Sequence, residues 1–443
     1  MEERVFIELN RRFGSMAILS TGKIAEVIFE NALDTFESQD MLLDKVDFWR
    51  PDSGDLQNSN NFIWRNVRQH RPILTGFDLT GQAQGIIEET YPAVLDEPRN
   101  DFVEQRADDV RDAGFWERAG RESGYKQASE LNQSIAQAMV TQGSMFYRSN
   151  ATSGYNFIAE AQALMNERQL PKEMGNRCFL INDRDNLTFG QDLAARQTLQ
   201  GRPENTWTTG QIGENVAEFD VYTGSFLPTL TGGADPATTV TGNQSFAPVG
   251  GSVNATTGVV TNVDYRTADI PVAASGAYSV GDKVQFANGG TPVNAVGLDD
   301  KTDTAQPMTF TIVAIPDATT LTIFPKPIAI NDGALSALEQ SYGNIDTQIL
   351  NLATVNRLNI DASQRTNLFW DMDAVEVLGG AIPAEYFKEF GGQRVISSTM
   401  KNGQEMYMLY DADSTTMNFT YRLFTWWGFT VRNPSAVGVA VTF

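Results

Sequence analysis

Between Phe219 and Leu338 the chain has no glutamate, tryptophan, histidine or cysteine, although all four occur elsewhere in its 443 residues. That stretch is rich instead in Thr, Gly, Val, Ala and Asp, while both flanks carry glutamates, tryptophans and helix-like patterning. A β-rich module therefore sits inside a mixed α+β chain. It is built without the residue types that most often carry catalysis, which points to a protein that holds rather than reacts.

Scarcity extends over the whole chain. The single cysteine, Cys178, excludes an intrachain disulfide, which fits a reducing cytoplasm. In the run Cys178-Phe179-Leu180-Ile181 it reads as a buried small hydrophobe. The single histidine, His70, would have to anchor any Ser/His/Asp or Cys/His site. No G-x-S-x-G elbow accompanies it, and its place at a strand end favours a surface or interface role. One His and one Cys cannot supply a typical zinc set. Asp299, Asp300 and Asp303 cluster, as do Asp183 and Asp185, but neither group has the central Gly and terminal Glu of an EF-hand. Both read as solvated turns. Gly22-Lys23 lacks the upstream glycine of a phosphate-binding loop, and no G-x-G-x-x-G opens a helix. No catalytic, cofactor-binding or metal-binding residue is predicted. No run of 18 apolar residues exists to cross a membrane, and Met1-Glu2-Glu3-Arg4 is not the start of a secretory signal. Basic residues are outnumbered 33 to 55, for a net charge of −22. That balance argues against binding nucleic acid and favours basic partners, or a surface that repels polyanions. One enzymatic alternative survives: a carbohydrate-active enzyme with an appended β module, whose paired carboxylates would leave no sequence signature.

What is present has order. Lys23 to Phe36 reads as an amphipathic helix, with Ile24, Val27, Ile28 and Ala32 on one face and Glu26, Glu30 and Asp34 four apart on another. Polar residues from Pro51 to Asn61 separate apolar strands at Val46 to Trp49 and Phe62 to Val67, predicting a long β-hairpin. Such a hairpin is marginal alone and must lie on its own body or on a neighbouring subunit. Ile86 to Leu95 is a further strand. Ala128, Leu131, Ile135 and Ala138 define a helix from Tyr125 to Gln142. Gly114, Gly120 and Gly124 weaken the turns before it and predict a late start or a bend. Tyr155 to Arg168 is a second helix. In the module, Met308 to Ile315 and Thr320 to Phe324 form a hairpin, Gly281 to Phe286 is a turn into a strand, and Ser252 to Asn262 is a hairpin with its tip at Asn254 to Gly258. Short strands with Gly-rich turns suggest a small barrel or sandwich. After Pro327 the host composition resumes, with Ala334 to Leu358 partly helical and strands at Arg365 to Leu378 and Glu405 to Tyr410. Trp426 and Trp427 read as core or interface.

Several of these segments line up with one family. Asn100-Asp101-Phe102, followed by Gln105 to Asp112, resembles the run into the spine helix of a phage coat protein. Pro325 to Asp332 resembles the exit from that protein's inserted domain. Arg365 to Trp370, Ala381 to Ala384, Trp427-Gly428 and Arg432 to Val439 follow in matching order. The ordered series, from about Gly22 to the end, resembles the major capsid protein of tailed bacteriophages, whose fold is shared with herpesvirus capsids. The nearest branch is that of short-tailed phages whose coat carries an inserted β-barrel.

The resemblance implies an N-terminal arm (1–45), an extended hairpin loop (46–77) and a peripheral domain with a spine helix (78–150). An axial domain (151–224), the inserted barrel (225–330) and the remainder of the axial and peripheral domains (331–443) follow. It implies a structural protein that assembles with itself into pentamers and hexamers. The expected product is an icosahedral procapsid, built around a scaffolding protein in the host bacterial cytoplasm and joined by a portal protein. It would expand as double-stranded DNA is packaged, with no sequence-specific binding, no cofactor and no membrane. Scaffolds in this branch resemble small basic helical binders, so Glu26, Glu30 and Asp34 on the arm are the expected scaffold contact. In related coats a charged loop of the insertion locks adjoining capsomers. Here the tip from Asn254 to Gly258 has no charge, so Asp264 and Arg266 on its flank are expected to carry any bridge.

Overall fold

The computed structural model describes residues 21–51, 62–66, 77, 80, 90–106, 113–149, 154–170, 176–195, 211–249, 264–361, 363–382, 394–413, 415 and 418–442. His70 and the tip from Asn254 to Gly258 lie outside them. The chain divides into two compact units, one of residues 1–40, 97–131 and 379–427 and one of residues 41–96, 132–378 and 428–443.

In the first unit the amphipathic stretch forms one helix, Thr21–Gln39. Its apolar side is fully used, with Ala25, Ile28, Ala32 and Phe36 all 0% exposed. It packs on the long helix Ala113–Gln142 at Gly120 and Gly124. A Cβ at Gly120 would strike the Ile28 carbonyl oxygen, and one at Gly124 the Ala32 carbonyl oxygen. The glycines therefore do not delay the long helix, which starts at Ala113 rather than Tyr125. They let two helix backbones approach more closely than any side chain would permit. An antiparallel sheet packs on the same helix, in the order Arg394–Thr399, Glu405–Asp413, Asn418–Thr425, Arg99–Arg106. Phe419, Tyr421 and Leu423 are buried in alternation with exposed Arg422. Trp116 meets Phe419 edge-on at 5.5 Å, and Ser123 donates to Asp101 at 2.6 Å.

The second unit contains a host sheet ordered Met145–Ser149, Val437–Thr442, Ser363–Asp371, Arg177–Asn182, Phe219–Gly224, Gln211–Val216. Phe157, Phe219 and Phe369 surround Phe179, with ring centroids 5.8–6.3 Å away. Cys178 lies beside them, and burial pushes its thiol up to about 12. It is an inert packing residue. The acidic turn at Asp183 opens the helix Asp183–Ala195, and Asp185 accepts from Asn367 at 2.8 Å.

Two strand expectations are corrected. Asp47–Trp49 does not pair with Phe62–Asn66 but runs parallel to Val375–Gly379, with Asp47 opposite Glu376. Phe62–Asn66 pairs antiparallel with Thr90–Val94. The later strand brings a buried side, Tyr91 and Ala93, whereas Asp47–Trp49 is half-buried throughout. Arg365 to Leu378 is likewise two strands. The first ends at Asp371, whose carboxylate accepts from the Asp373 amide at 3.1 Å and caps a short turn before Val375–Gly379.

The module's strands follow the order Thr238–Thr239, Thr354–Arg357, Lys283–Asn288, Phe310–Asp317, Thr320–Phe324, Ala268–Pro271. Val240 then bridges Val272, with Thr241 N donating to Pro271 O at 2.8 Å and Ala273 N to Thr239 O at 2.9 Å. The circuit returns to its first strand, as a small barrel requires. Phe286, Phe310, Ile312, Leu321, Ile323 and Val355 fill it. The strand circuit thus spans Thr238 to Arg357 and overruns the expected limit at residue 330. The segment expected to be partly helical supplies one capped turn, Ala337–Gln340, and then the strand Thr354–Arg357. On the other side, Phe219–Gly224 and Thr229–Thr231 pair with host strands.

Candidate functional site

No group of three or more His, Cys, Asp or Glu among the described residues could hold a metal ion. The turn bearing Asp299 and Asp300 is tied down instead, with both backbone amides donating to Gln169 Oε1 at 3.1 and 3.2 Å. Chemistry on this chain is concentrated in surfaces and in the seats that hold them.

The most regular surface is the outer face of the arm helix. Glu26, Glu30 and Asp34 are all exposed, about one per turn, and none forms an ion pair among the described residues. The far end of the helix is tethered. Lys401 Nζ lies 2.9 Å from Glu37, and its hydrogen bond holds the Glu37 carboxyl below the ordinary carboxylate range. Asn402 donates to Asp40 at 2.8 Å. The helix is thus fixed by its glycine seam and its end, with three carboxylates presented outward.

The paired strands Phe62–Asn66 and Thr90–Val94 are held at their base by a buried charge cluster. Glu376 is 1% exposed and pairs with Arg65, which stacks on Trp49 at 4.1 Å. The same carboxylate oxygen accepts from the Tyr91 hydroxyl at 3.2 Å and lies 4.0 Å from Arg432, which also pairs with Asp47 at 3.3 Å. Burial, reinforced by the Glu376 charge, pushes the Tyr91 hydroxyl up to about 12, so it remains a donor. Sequence reasoning missed this cluster. The available signal was one carboxylate in the apolar run Ala374-Val375-Glu376-Val377-Leu378.

Asp264 and Arg266 are together, 2.7 Å apart. Arg266 is 9% exposed, donates to the Val431 carbonyl and stands over the rings of Tyr91 and Phe324 at 4.8 and 5.2 Å. Its guanidinium is occupied within its own chain. Asp264 keeps a side-chain exposure of 25%. Of the tryptophan pair, Trp427 is core at 1% exposure and Trp426 lies half-buried against Gly380.

An arm fixed along one face, a clamped pair of strands, a long helix packed on a four-stranded sheet and an inserted strand circuit are the parts of a tailed-phage capsid protein. Residues 16–442 match the family described as P22 coat protein - gene protein 5, and the chain belongs to that family. It is therefore a shell-forming coat protein of the virion capsid, structural rather than enzymatic, and it associates with copies of itself. The carbohydrate-active alternative is set aside by this membership. Among solved structures, the capsid of Ralstonia phage GP4 is 9% identical, with a TM-score of 0.43 over 92% of this chain and 90% of that one. The capsid of cyanophage P-SCSP1u is 11% identical, with a TM-score of 0.40 over 92% and 88%. The mature capsid of bacteriophage PhiM1 is 8% identical, with a TM-score of 0.40 over 90% and 85%. No helix among the described residues is long and apolar enough to cross a membrane.

Proposed function

We propose that this coat protein forms pentamers and hexamers that close into an icosahedral procapsid around a basic scaffolding protein in the host cytoplasm. A portal protein joins the shell, which expands as double-stranded DNA is packaged. The observation that carries this reading is the arm helix, which buries Ala25, Ile28, Ala32 and Phe36 while Glu26, Glu30 and Asp34 stay exposed without ion pairs among the described residues. A fixed row of carboxylates suits a basic helical partner. The net charge of −22 keeps packaged DNA from adhering to the wall and gives no sequence-specific contact.

Assembly contacts of roughly 2,000–5,000 Å² would offset the cost of ordering the arm and loop. Contact between capsomers falls to the loop tip at Asn254 to Gly258 and to Asp264 and Arg266 on its flank. Reversing Glu30 and Asp34 to lysine tests the scaffold contact. Scaffold-dependent procapsid yield should fall about fivefold or more while the melting temperature of the free chain is unchanged. Normal yields would overturn the assignment.

A further inference from the structure

The long helix ends at Gln142, and the carbonyls of its last turn lack partners inside the helix. Lys283, at the start of a module strand, is 0% exposed and supplies one of them, at Val140, together with the Gly143 carbonyl just beyond the helix. Its Nζ donates to Val140 O at 2.7 Å, to Gly143 O at 2.5 Å and to Thr311 Oγ1 at 2.8 Å. Thr311 Oγ1 in turn donates to Gly143 O at 2.6 Å. The adjacent carboxylate is engaged elsewhere, since Asp282 pairs with Arg357 at 2.6 Å and accepts from Asn359 at 2.8 Å. The lysine therefore has the negative end of the helix, and not a carboxylate, as its bonded counter-charge. Three acceptors match the three protons of an ammonium.

A second helix end meets the residue just before the strand Phe310–Asp317. Beyond Gly154–Glu167, buried Arg168 donates to Thr309 Oγ1 at 2.9 Å, and its carbonyl accepts from Leu298 N at 3.3 Å. Thr309 and Thr311 are two residues apart, so their hydroxyls share one face while Phe310 and Ile312 turn into the module core. The strand Phe310–Asp317 and the residue before it thus touch the ends of two host helices through a pair of threonines.

We propose that the inserted module caps the long helix of its own chain through Lys283, so that the helix's last turn and the strands Lys283–Asn288 and Phe310–Asp317 open and close as one cooperative unit. A buried ammonium cannot leave the helix end without stranding itself and the Val140 carbonyl. A change in the last turn is therefore passed to the module, and a change in the module to the helix. The coupling is a property of the single chain and does not depend on the proposed assembly route.

Native-state hydrogen exchange on the full-length chain tests it, read by mass spectrometry in Lys283→Met and in the near-isosteric Thr311→Val. In the unsubstituted chain, residues 139–144 and both module strands should exchange with one shared denaturant dependence. In Lys283→Met, residues 139–144 should exchange about tenfold faster or more and lose that shared dependence. Thr311→Val, a milder change that keeps the ammonium, should move them in the same direction by less. Unchanged exchange at residues 139–144 in both variants would overturn the proposal. So would a uniform acceleration across the whole chain in Thr311→Val.

Discussion

Lys283 is costly where it stands. Burial pushes its pKa down from 10.5 to about 7, although the helix carbonyls and Asp282 favour the charged form. The unfolded chain holds that proton up to about pH 10.5 and the folded chain only to about pH 7. Between those limits the unfolded state binds more protons, so raising the pH favours folding; below about pH 7 the burial cost is carried in full. Stability measured by denaturant titration should rise between pH 7 and 10 by at most about 1.4 kcal/mol per unit from this group. Lys283→Met should flatten that rise. A wild-type slope unchanged by the substitution would refute the assignment. Glu376 is a buried anion among cations. Glu376→Ala leaves Arg65 and Arg432 without it and should destabilise the fold by about 3–5 kcal/mol in thermal or denaturant unfolding. Glu376 left one signal in the sequence, a carboxylate in an apolar run, and Lys283 left none. Gly281-Asp282-Lys283-Val284 reads as a turn into a strand, and so it is. The two carbonyl acceptors for Lys283 lie 140 or more positions away at the end of the host helix, where no local pattern points to them.

Elements were legible wherever their signal is local. The amphipathic arm, the helix Gly154–Glu167, the strand around Cys178 and the hairpin Phe310–Phe324 stand where periodicity put them. Pairing was not, because it depends on which faces are buried. Asp47–Trp49 and Phe62–Asn66 are adjacent apolar strands, yet each finds its partner elsewhere. Gly120 and Gly124 were misread for the same reason: their helix-weakening cost is local, but their use is a contact with another helix. Gly124→Val should therefore loosen the arm helix and cost about 1–3 kcal/mol or more, with faster proteolysis between Thr21 and Gln39. Gly190 is the contrast, since a Cβ there meets nothing within 4 Å. Gly190→Ala should stabilise the helix Asp183–Ala195 by about 0.5–1 kcal/mol. Equal losses for the two substitutions would show that close approach is not what the glycine seam provides.

At the scale of the whole molecule, the composition excluded more than it identified. One histidine, one cysteine and a charge of −22 remove most catalytic, metal and nucleic-acid readings. They do not say what the protein builds. The ordered series of segments did, because a coat protein is recognised by the sequence of its parts and not by a cluster of reactive groups. The module's extent was only half legible: glutamates return at Glu339, but the strand that closes the circuit comes later, at Thr354–Arg357. Among the described residues the arm's carboxylates Glu26, Glu30 and Asp34 are exposed, and Arg266 donates to the Val431 carbonyl.

Assembly of the purified chain, with and without a basic scaffolding protein, measures the central claim directly by sedimentation velocity and negative-stain imaging. The account predicts uniform closed shells in the presence of scaffold, fed by a slowly sedimenting subunit pool. A chain that stays monomeric at every concentration and scaffold ratio would contradict it.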